Sequence, residues 1–308
     1  MLYTLRLPIK GSLNHVNTYL LGDIKNFLLI DTGLPTPEDI STLTEYLKKY
    51  GSPKRVLITH YHPDHIGLVS LFAKSAEILI NEKELEFLNF IFDDNYDHII
   101  GKFLSENGFP KEYTEIILQN RNRIKEITKN VKFTEIKDND EIIISDKKGK
   151  FIWTPGHTIG HTCLYYEKLL FCGDHILPHI TPNVSLLRPD DNPLKEYIES
   201  LERIMELDVE KVYPAHGDPF TNIRERINEI KKHHERRLQE IINILQKRGK
   251  ANAYEISTNI SWYKPWQELG NIDKQLAIGE TLAHIKYLQE NNTISMHDAG
   301  NVIFYTLK

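Results

Sequence analysis

Short apolar runs separated by turn residues fill most of the first two thirds of the chain, and helical periodicity fills the last third. The early runs predict strands at Leu2–Leu7, Val16–Leu21, Phe27–Ile30, Val56–Ile58 and Glu77–Asn81. Apolar spacing after Thr36 predicts a helix that Gly51 ends, and a shorter helix is expected over Ile66–Ala73. This mixture of strands and helices indicates an α+β protein.

Residues 82–130 differ from the flanking sequence in that they combine helical periodicity with many aromatic side chains. We interpret them as a helical insertion that forms a lid over a functional site, with simple helix packing as the alternative. Strand patterns return over residues 131–180, and Asn192–Leu207 reads as a helix opened by Pro193.

The last third begins with one long helix over Asn222–Arg248. Shorter helices are expected at Ala253–Ile260 and Ile272–Glu290, followed by a hairpin of Thr293–His297 and Val302–Leu307. Three helices and a hairpin are the order of a winged helix. We therefore predict two domains, a larger one over residues 1–222 and a smaller winged-helix-like, α-rich one over residues 223–308.

Side chains that can bind metal ions are most concentrated directly after the strand Val56–Ile58, in the segment Thr59-His60-Tyr61-His62-Pro63-Asp64-His65. A strand that ends in a turn stiffened by Pro63 can direct these imidazole and carboxylate groups into one pocket, which predicts a metal site. The same design of apolar strand, Gly or Pro turn and single polar group recurs at His157, Asp174 and His216. A sheet edge that collects such groups builds a site on rigid elements.

These motifs resemble those of the metallo-β-lactamase superfamily of hydrolases, because the HxHxDH motif and the later His, Asp and His occur in that family's order over about residues 1–220. The resemblance implies a four-layer αβ/βα sandwich. It also implies that His60, His62 and His157 hold one metal ion, that Asp64, His65 and His216 hold a second, and that Asp174 bridges both. In that family pattern Asp31 fixes a ligand imidazole, and we assign Asp64 the further catalytic role of orienting the attacking water.

Imidazole and carboxylate donors without thiolate suit Zn²⁺, so we expect two zinc ions per chain, with Mn²⁺ or Fe as alternatives. The leading hypothesis is a hydrolase whose dinuclear zinc centre supplies hydroxide to an activated ester, thioester or lactone, with a small acyl substrate as partner. One alternative is an endoribonuclease, which the winged-helix-like region and the basic stretch 223–250 favour. Another is a persulfide dioxygenase with a single iron, whose motifs are similar.

Composition limits the remaining choices. No apolar run of the 308 residues reaches the roughly 20 that a membrane span needs, and the first residues lack the pattern of a signal peptide. We expect a cytoplasmic protein with no membrane partner, in which Cys163 and Cys172 are buried free thiols. His233 and His234 are expected to be exposed on the long helix, and Trp262 and Trp266 suggest a homodimer interface.

Overall fold

A computed structural model describes residues 1–9, 13–24 and 26–308, and two β-sheets organise its backbone. The first sheet lies in sequence order and contains β1 (Leu2–Pro8), β2 (His15–Asp23), β3 (Asn26–Ile30), β4 (Arg55–Leu57), β5 (Glu77–Asn81) and β6 (Phe133–Ile136). Its first three strands pair antiparallel, and β3 to β6 pair parallel. Parallel pairing requires helical crossovers, which the chain supplies between these strands.

The second sheet contains β7 (Glu141–Ile144), β8 (Lys147–Trp153), β9 (Thr162–Tyr166), β10 (Leu169–Gly173) and β11 (Lys211–Pro214), again side by side in sequence order. Its inner face packs on the first sheet through alternate residues, so that Leu28 and Leu57 meet Phe151 and Phe171 in one buried cluster. The residues between them, such as Leu29 and Val56, belong to a second cluster with the helices. Helices outside and sheets inside give the predicted sandwich.

The helices before residue 222 are α1 (Pro37–Tyr50), α2 (Pro63–Ile66), α3 (Glu82–Phe92), α4 (Tyr96–Glu106), α5 (Lys111–Thr128) and α6 (Pro193–Met205). The side chain of Thr36 caps α1, and Gly51 ends it at φ 93°. The helix predicted over Ile66–Ala73 is wrong in its position. Pro63 starts a helix three residues earlier, and a separate 3-10 turn covers Val69–Phe72.

The final part consists of α7 (Ile223–Arg248), α8 (Ala253–Asn259), α9 (Asn271–Glu290) and a hairpin of β12 (Ile294–Asp298) and β13 (Ile303–Leu307). Helices α7 and α9 pack on α6, and α9 also packs on α5. One hydrophobic cluster runs through both parts of the chain. The winged-helix character of this part and a domain boundary at residue 222 stay predictions.

Two side chains that the sequence suggests are accessible, those of His234 and Trp266, are buried in the structure. His234 is buried, which corrects the expectation that it is exposed, because it shares one face of α7 with Ile227, Ile230 and Ile241. Trp266 is buried against Tyr113 and Tyr254, and a homodimer interface that includes it stays a prediction.

Both cysteines are buried and free. Across the described ranges, no helix has the length and apolar character needed to span a bilayer.

Candidate metal centre

The predicted site residues lie where strands of both sheets end, along one edge of the sandwich. The first sheet contributes Asp31 after β3 and the segment His60–His65 after β4 and at the start of α2. The second sheet contributes His157 after β8, Asp174 after β10 and His216 after β11. Because each strand fixes its own end, side chains far apart in sequence arrive in one place.

Three imidazoles form the first group of donors, which we name the histidine cluster: His60, His62 and His157. Nε2 of His60 lies 2.9 Å from Nδ1 of His62, and Nε2 of His157 lies 3.3 and 3.1 Å from these two atoms. Burial lowers the pKa of His62 to about 3, lowers that of His157, and holds that of His60 well below its usual range. Neutral imidazoles with converging ring nitrogens are in the form that binds metals.

The second group, which we name the acid–histidine cluster, contains Asp64, His65 and His216. Oδ2 of Asp64 lies 3.3 Å from Nε2 of His216 and 3.7 Å from Nε2 of His65. Burial alone would raise the pKa of Asp64, but the nearby imidazoles of His65 and His216 lower it to about 2. Conversely, burial lowers the pKa of His216, and the carboxylate of Asp174 more than reverses this to give about 10.

Asp174 lies between the two clusters. Its Oδ1 is 3.3 Å from Nε2 of His216 and 3.6 Å from Nε2 of His65, and its Oδ2 is 3.6 Å from Nε2 of His157. Although burial raises the pKa of Asp174, His216 and His65 hold it well below the usual range. Each carboxylate oxygen therefore faces one cluster, as a bridging ligand would.

Hydrogen bonds on the far side of the rings fix which nitrogen faces the centre. Nδ1 of His65 lies 2.8 Å from Oδ2 of Asp31, which is the contact predicted for Asp31. Nδ1 of His157 and Nδ1 of His216 each lie 2.7 Å from a backbone carbonyl, of Asn183 and His15 respectively. These partners receive the Nδ1 proton, so Nε2 is the nitrogen that faces the centre in all three rings.

His161 holds Asp174 in place without belonging to either cluster. The backbone N–H of Asp174 donates to Nε2 of His161 at 3.1 Å, so Nδ1 of His161 carries the proton that reaches Oγ1 of Thr154 at 2.8 Å. The position of His161 in the sequence suggests that it stabilises the Gly156–Gly160 loop. In the structure, its bonds to Thr154 close the base of that loop, and its ring also fixes the backbone of Asp174.

Sequence reasoning missed Glu84, which ties two ligand segments together. Its buried carboxylate accepts from the backbone N–H of Tyr61 at 2.7 Å, from that of Gly160 at 2.7 Å, and from Oγ1 of Thr158 at 2.9 Å. Burial outweighs these hydrogen bonds and raises the pKa of Glu84 to about 7. An acid in the first turn of α3 gives no signal of this role, because its partners are far along the chain.

The donor atoms fit divalent cations. Nε2 of His65, Nε2 of His216 and Oδ1 of Asp174 are buried and have no hydrogen-bond partner in the described part of the chain. Polar atoms of this kind are rare in folded proteins, because leaving them unpaired is costly. The donor atoms of each cluster lie within 4.8 Å of one another, and they are all nitrogen and oxygen. This donor set suits a divalent metal, and the assignment of individual ligands stays a prediction.

A large groove and a smaller pocket both reach the centre. The larger is a groove of about 910 Å³ that contains His62 and Asp64 and passes between α1, α5 and the start of α9. The smaller is a pocket of about 70 Å³ beside His62 and His157, enclosed by α4, α5 and α9. The helices of residues 82–130 thus contribute walls to both cavities, and their role as a lid stays a prediction.

A chain of contacts joins the histidine cluster to the C-terminal helices. Asn183 accepts from His157 through its backbone carbonyl, and Nδ2 of Asn183 donates to Oε2 of Glu280 on α9 at 3.3 Å. Oε1 of Glu280 pairs with Nε of Arg237 on α7 at 3.0 Å. The backbone N–H of Leu186 also donates to the carbonyl of Gly279 at 3.0 Å. Helix α9 is therefore part of the support of the site.

Comparisons with known proteins agree with this architecture. A family model described as the metallo-beta-lactamase superfamily matches residues 11–216. The chain is similar to the "Probable metallo-hydrolase YqjP" of Bacillus subtilis, with 26% identity covering 98% of this chain and 96% of that protein. It is also similar to the "Beta-lactamase-like protein 2 homolog" of Caenorhabditis elegans, with 27% identity covering 84% of this chain and 75% of that one.

Among solved structures, the metallo-beta-lactamase family protein TTHA1429 of Thermus thermophilus superposes with a TM-score of 0.83 and 29% identity, covering 100% of this chain and 98% of that chain. The similarity extends beyond the family-model match and includes the C-terminal helices. The family match covers most of the chain, and the residues that carry it converge in the centre described above. The chain therefore belongs to the metallo-beta-lactamase superfamily.

Proposed function

We propose that this protein is a zinc-dependent hydrolase that holds two zinc ions and cleaves an activated ester, thioester or lactone. The observation that carries the proposal is the position of Asp174, whose two oxygens face different donor clusters at 3.3 to 3.6 Å. A mononuclear centre would need only one of the clusters. The apolar walls of both cavities support a small organic acyl substrate over a polymer.

Bound cations would polarise the substrate carbonyl and lower the pKa of a water molecule toward neutrality. The side chains of the protein orient the attacking water and the rings that would bind the cations. Asp64 lines the open groove, and its low pKa keeps it ionised, so it accepts a hydrogen bond from water and orients the water toward the carbonyl. Asp31, the carbonyl of Asn183 and the carbonyl of His15 hold three ligand rings in place.

The endoribonuclease alternative receives less support from the surface. Two of the arginines in the basic stretch 223–250 are turned inward: Arg226 donates to the carbonyls of Leu177 and Ile180, and Arg237 pairs with Glu240 and Glu280. These groups are not free to contact phosphates. The persulfide dioxygenase alternative requires one iron ion per chain, so metal analysis distinguishes it from the proposed zinc hydrolase.

The test is metal analysis of the purified protein combined with a substrate panel of acyl thioesters, lactones, a single-stranded RNA and a persulfide. We expect two zinc ions per chain and turnover of thioesters or lactones. Asp64→Asn should reduce kcat by about a thousandfold, on the scale seen when an electrostatic catalytic group is removed. Asp208→Asn is the matched control, because its side chain is exposed and remote from both clusters.

Three results would contradict the proposal: one iron per chain with persulfide oxidation, cleavage of RNA in preference to every acyl substrate, or equal activity of Asp64→Asn and Asp208→Asn.

A further inference from the structure

The pocket of about 70 Å³ beside the histidine cluster has walls from two distant parts of the chain. Helices α4 and α5 contribute Ile100, Phe103 and Ile117, and α9 contributes Leu282. Its wall includes His62 and His157, so a group bound there lies directly against the proposed reacting centre.

Three of the polar side chains that line this pocket, those of Asn183, Ser185 and Gln275, are already paired within the protein. Tyr61 and Tyr96 also line it, and most of the remaining lining residues are apolar. Oγ of Ser185 donates to Oδ1 of Asn183 at 2.5 Å, and Nδ2 of Asn183 donates to the carbonyl of Leu276 at 3.2 Å. Oε1 of Gln275 accepts from Nδ2 of Asn120 at 2.6 Å. A polar ligand group would lose its hydrogen bonds to water here and gain few in return, so the pocket favours an apolar group.

The pocket and the groove of about 910 Å³ share Tyr61, His62, Ile117 and Leu276, so they adjoin, and the wall they share includes His62 of the histidine cluster. A bound molecule can therefore span the centre, with a small apolar part in the pocket and a larger part in the groove. A dry apolar cavity of about 150 Å³ holds benzene. On that scale, about 70 Å³ holds an apolar group of roughly three carbon atoms, such as the propyl chain of a butanoyl group.

We infer that the protein selects esters or thioesters with a short apolar acyl group, because the size of the pocket between α4, α5 and α9 limits the length of that group. This inference rests on the proposed function. The leaving group lies in the larger groove. Water adds its oxygen to the acyl carbon, the bond from that carbon to oxygen or sulfur breaks, and the alcohol or thiol leaves with a proton. Phe103 and Ile117 are the specificity-determining residues. Both line the pocket, and both side chains are only half-buried, so they can be replaced without disturbing the hydrophobic core.

The test measures kcat/KM of the zinc-loaded enzyme on N-acetylcysteamine thioesters from acetyl to decanoyl, so that the leaving group is constant. We expect an optimum near butanoyl and a fall of about tenfold for each carbon beyond it. Phe103→Ala should enlarge the pocket and raise kcat/KM for hexanoyl and octanoyl thioesters by at least about tenfold relative to butanoyl. Ile117→Phe should shift the optimum to acetyl.

Matched controls lie on neighbouring helix positions outside both cavities. Phe92→Ala removes a half-buried ring from α3, and Ile116→Phe enlarges the adjacent residue of α5. Both should keep the wild-type chain-length profile. If Phe103→Ala does not fold, as a thermal melt would show, Ile117→Phe and its control carry the test alone.

A wild-type profile that is flat from acetyl to decanoyl, or variants that match their controls, would overturn the inference and leave the proposed function standing. Failure of the zinc-loaded protein to cleave any thioester, ester or lactone would overturn both.

Discussion

Asp31 shows how one residue outside the metal-facing atoms controls the centre. It occupies the left-handed region at φ 60°, and its carboxylate accepts from the backbone and side chain of Thr59 as well as from His65. The convergence of the residues in the two clusters could be predicted because motif order and residue type identify them. Glu84 and Asn183 could not, because one depends on burial and the other acts through its backbone carbonyl.

We expect Asp31→Asn to weaken metal binding by about 10- to 100-fold, the usual cost of losing a hydrogen-bonded partner behind a ligand imidazole. Asparagine tolerates the left-handed backbone, so the turn should persist. Its amide group, however, has a single oxygen, whereas in the carboxylate Oδ1 accepts from the backbone N–H of Thr59 and Oδ2 accepts from His65. Competition with a chromogenic chelator measures the affinity. Asp23→Asn, at the exposed end of β2, is the control, and equal affinities of the two variants would refute the prediction.

Element boundaries were predictable where a cap or turn residue marks them. The strand predicted at Glu77–Asn81 coincides with β5, and the long helix ends at Gly249 as expected. The contact of α9 with the loop before α6 was not predictable, since no periodicity reveals which helix face touches a distant loop. At this contact Gly279 is essential, because a Cβ there would overlap with Oγ of Ser185.

Replacing this glycine tests the contact. Gly279→Ala should lower the free energy of unfolding by about 1–3 kcal/mol, since the added methyl group forces α9 away from the loop. Gly101→Ala in α4 makes the same change where the nearest atom is 3.7 Å away. It should raise stability by about 0.5–1 kcal/mol through helix propensity. Urea denaturation measures both, and changes of the same sign would show that α9 does not pack tightly there.

Over the whole molecule, charge and hydrophobicity predicted the class of protein but not which polar groups lie inside. His234 and His284 form a buried pair, with Nδ1 of His234 3.1 Å from Nε2 of His284 and Nδ1 of His284 2.7 Å from the carbonyl of Glu280. Both rings are neutral, because burial lowers the pKa of His284 to about 4 and, with His284 nearby, holds that of His234 well below its usual range. The other charged or titratable groups next to this histidine pair are Glu280, His233 and Arg237.

Unfolded histidine titrates near pH 6.5, so the unfolded chain binds more protons than the folded one below that pH. The stabilising contribution of neutral His284 is therefore complete above pH 6.5 and is lost as the pH falls toward 4. The shift corresponds to roughly 3 kcal/mol. Between pH 6.5 and 4, His284→Gln should lose less stability than the wild type.

The comparison is made by urea denaturation at each pH in the same zinc-containing buffer, so that metal release affects both proteins alike. His98→Gln, at an exposed position on α4, should follow the wild type. Parallel curves for wild type and His284→Gln would show that His284 is already protonated in the folded chain.

The bond from the Leu186 amide to the Gly279 carbonyl has a practical consequence for anyone who wishes to shorten this protein. Truncation after residue 222 would strip a wall from the small cavity and uncover the apolar side of α6. A minimal fragment built on the family-model match alone would therefore be prone to aggregate, and grafting the two clusters with their small pocket onto another scaffold requires the final helices as well.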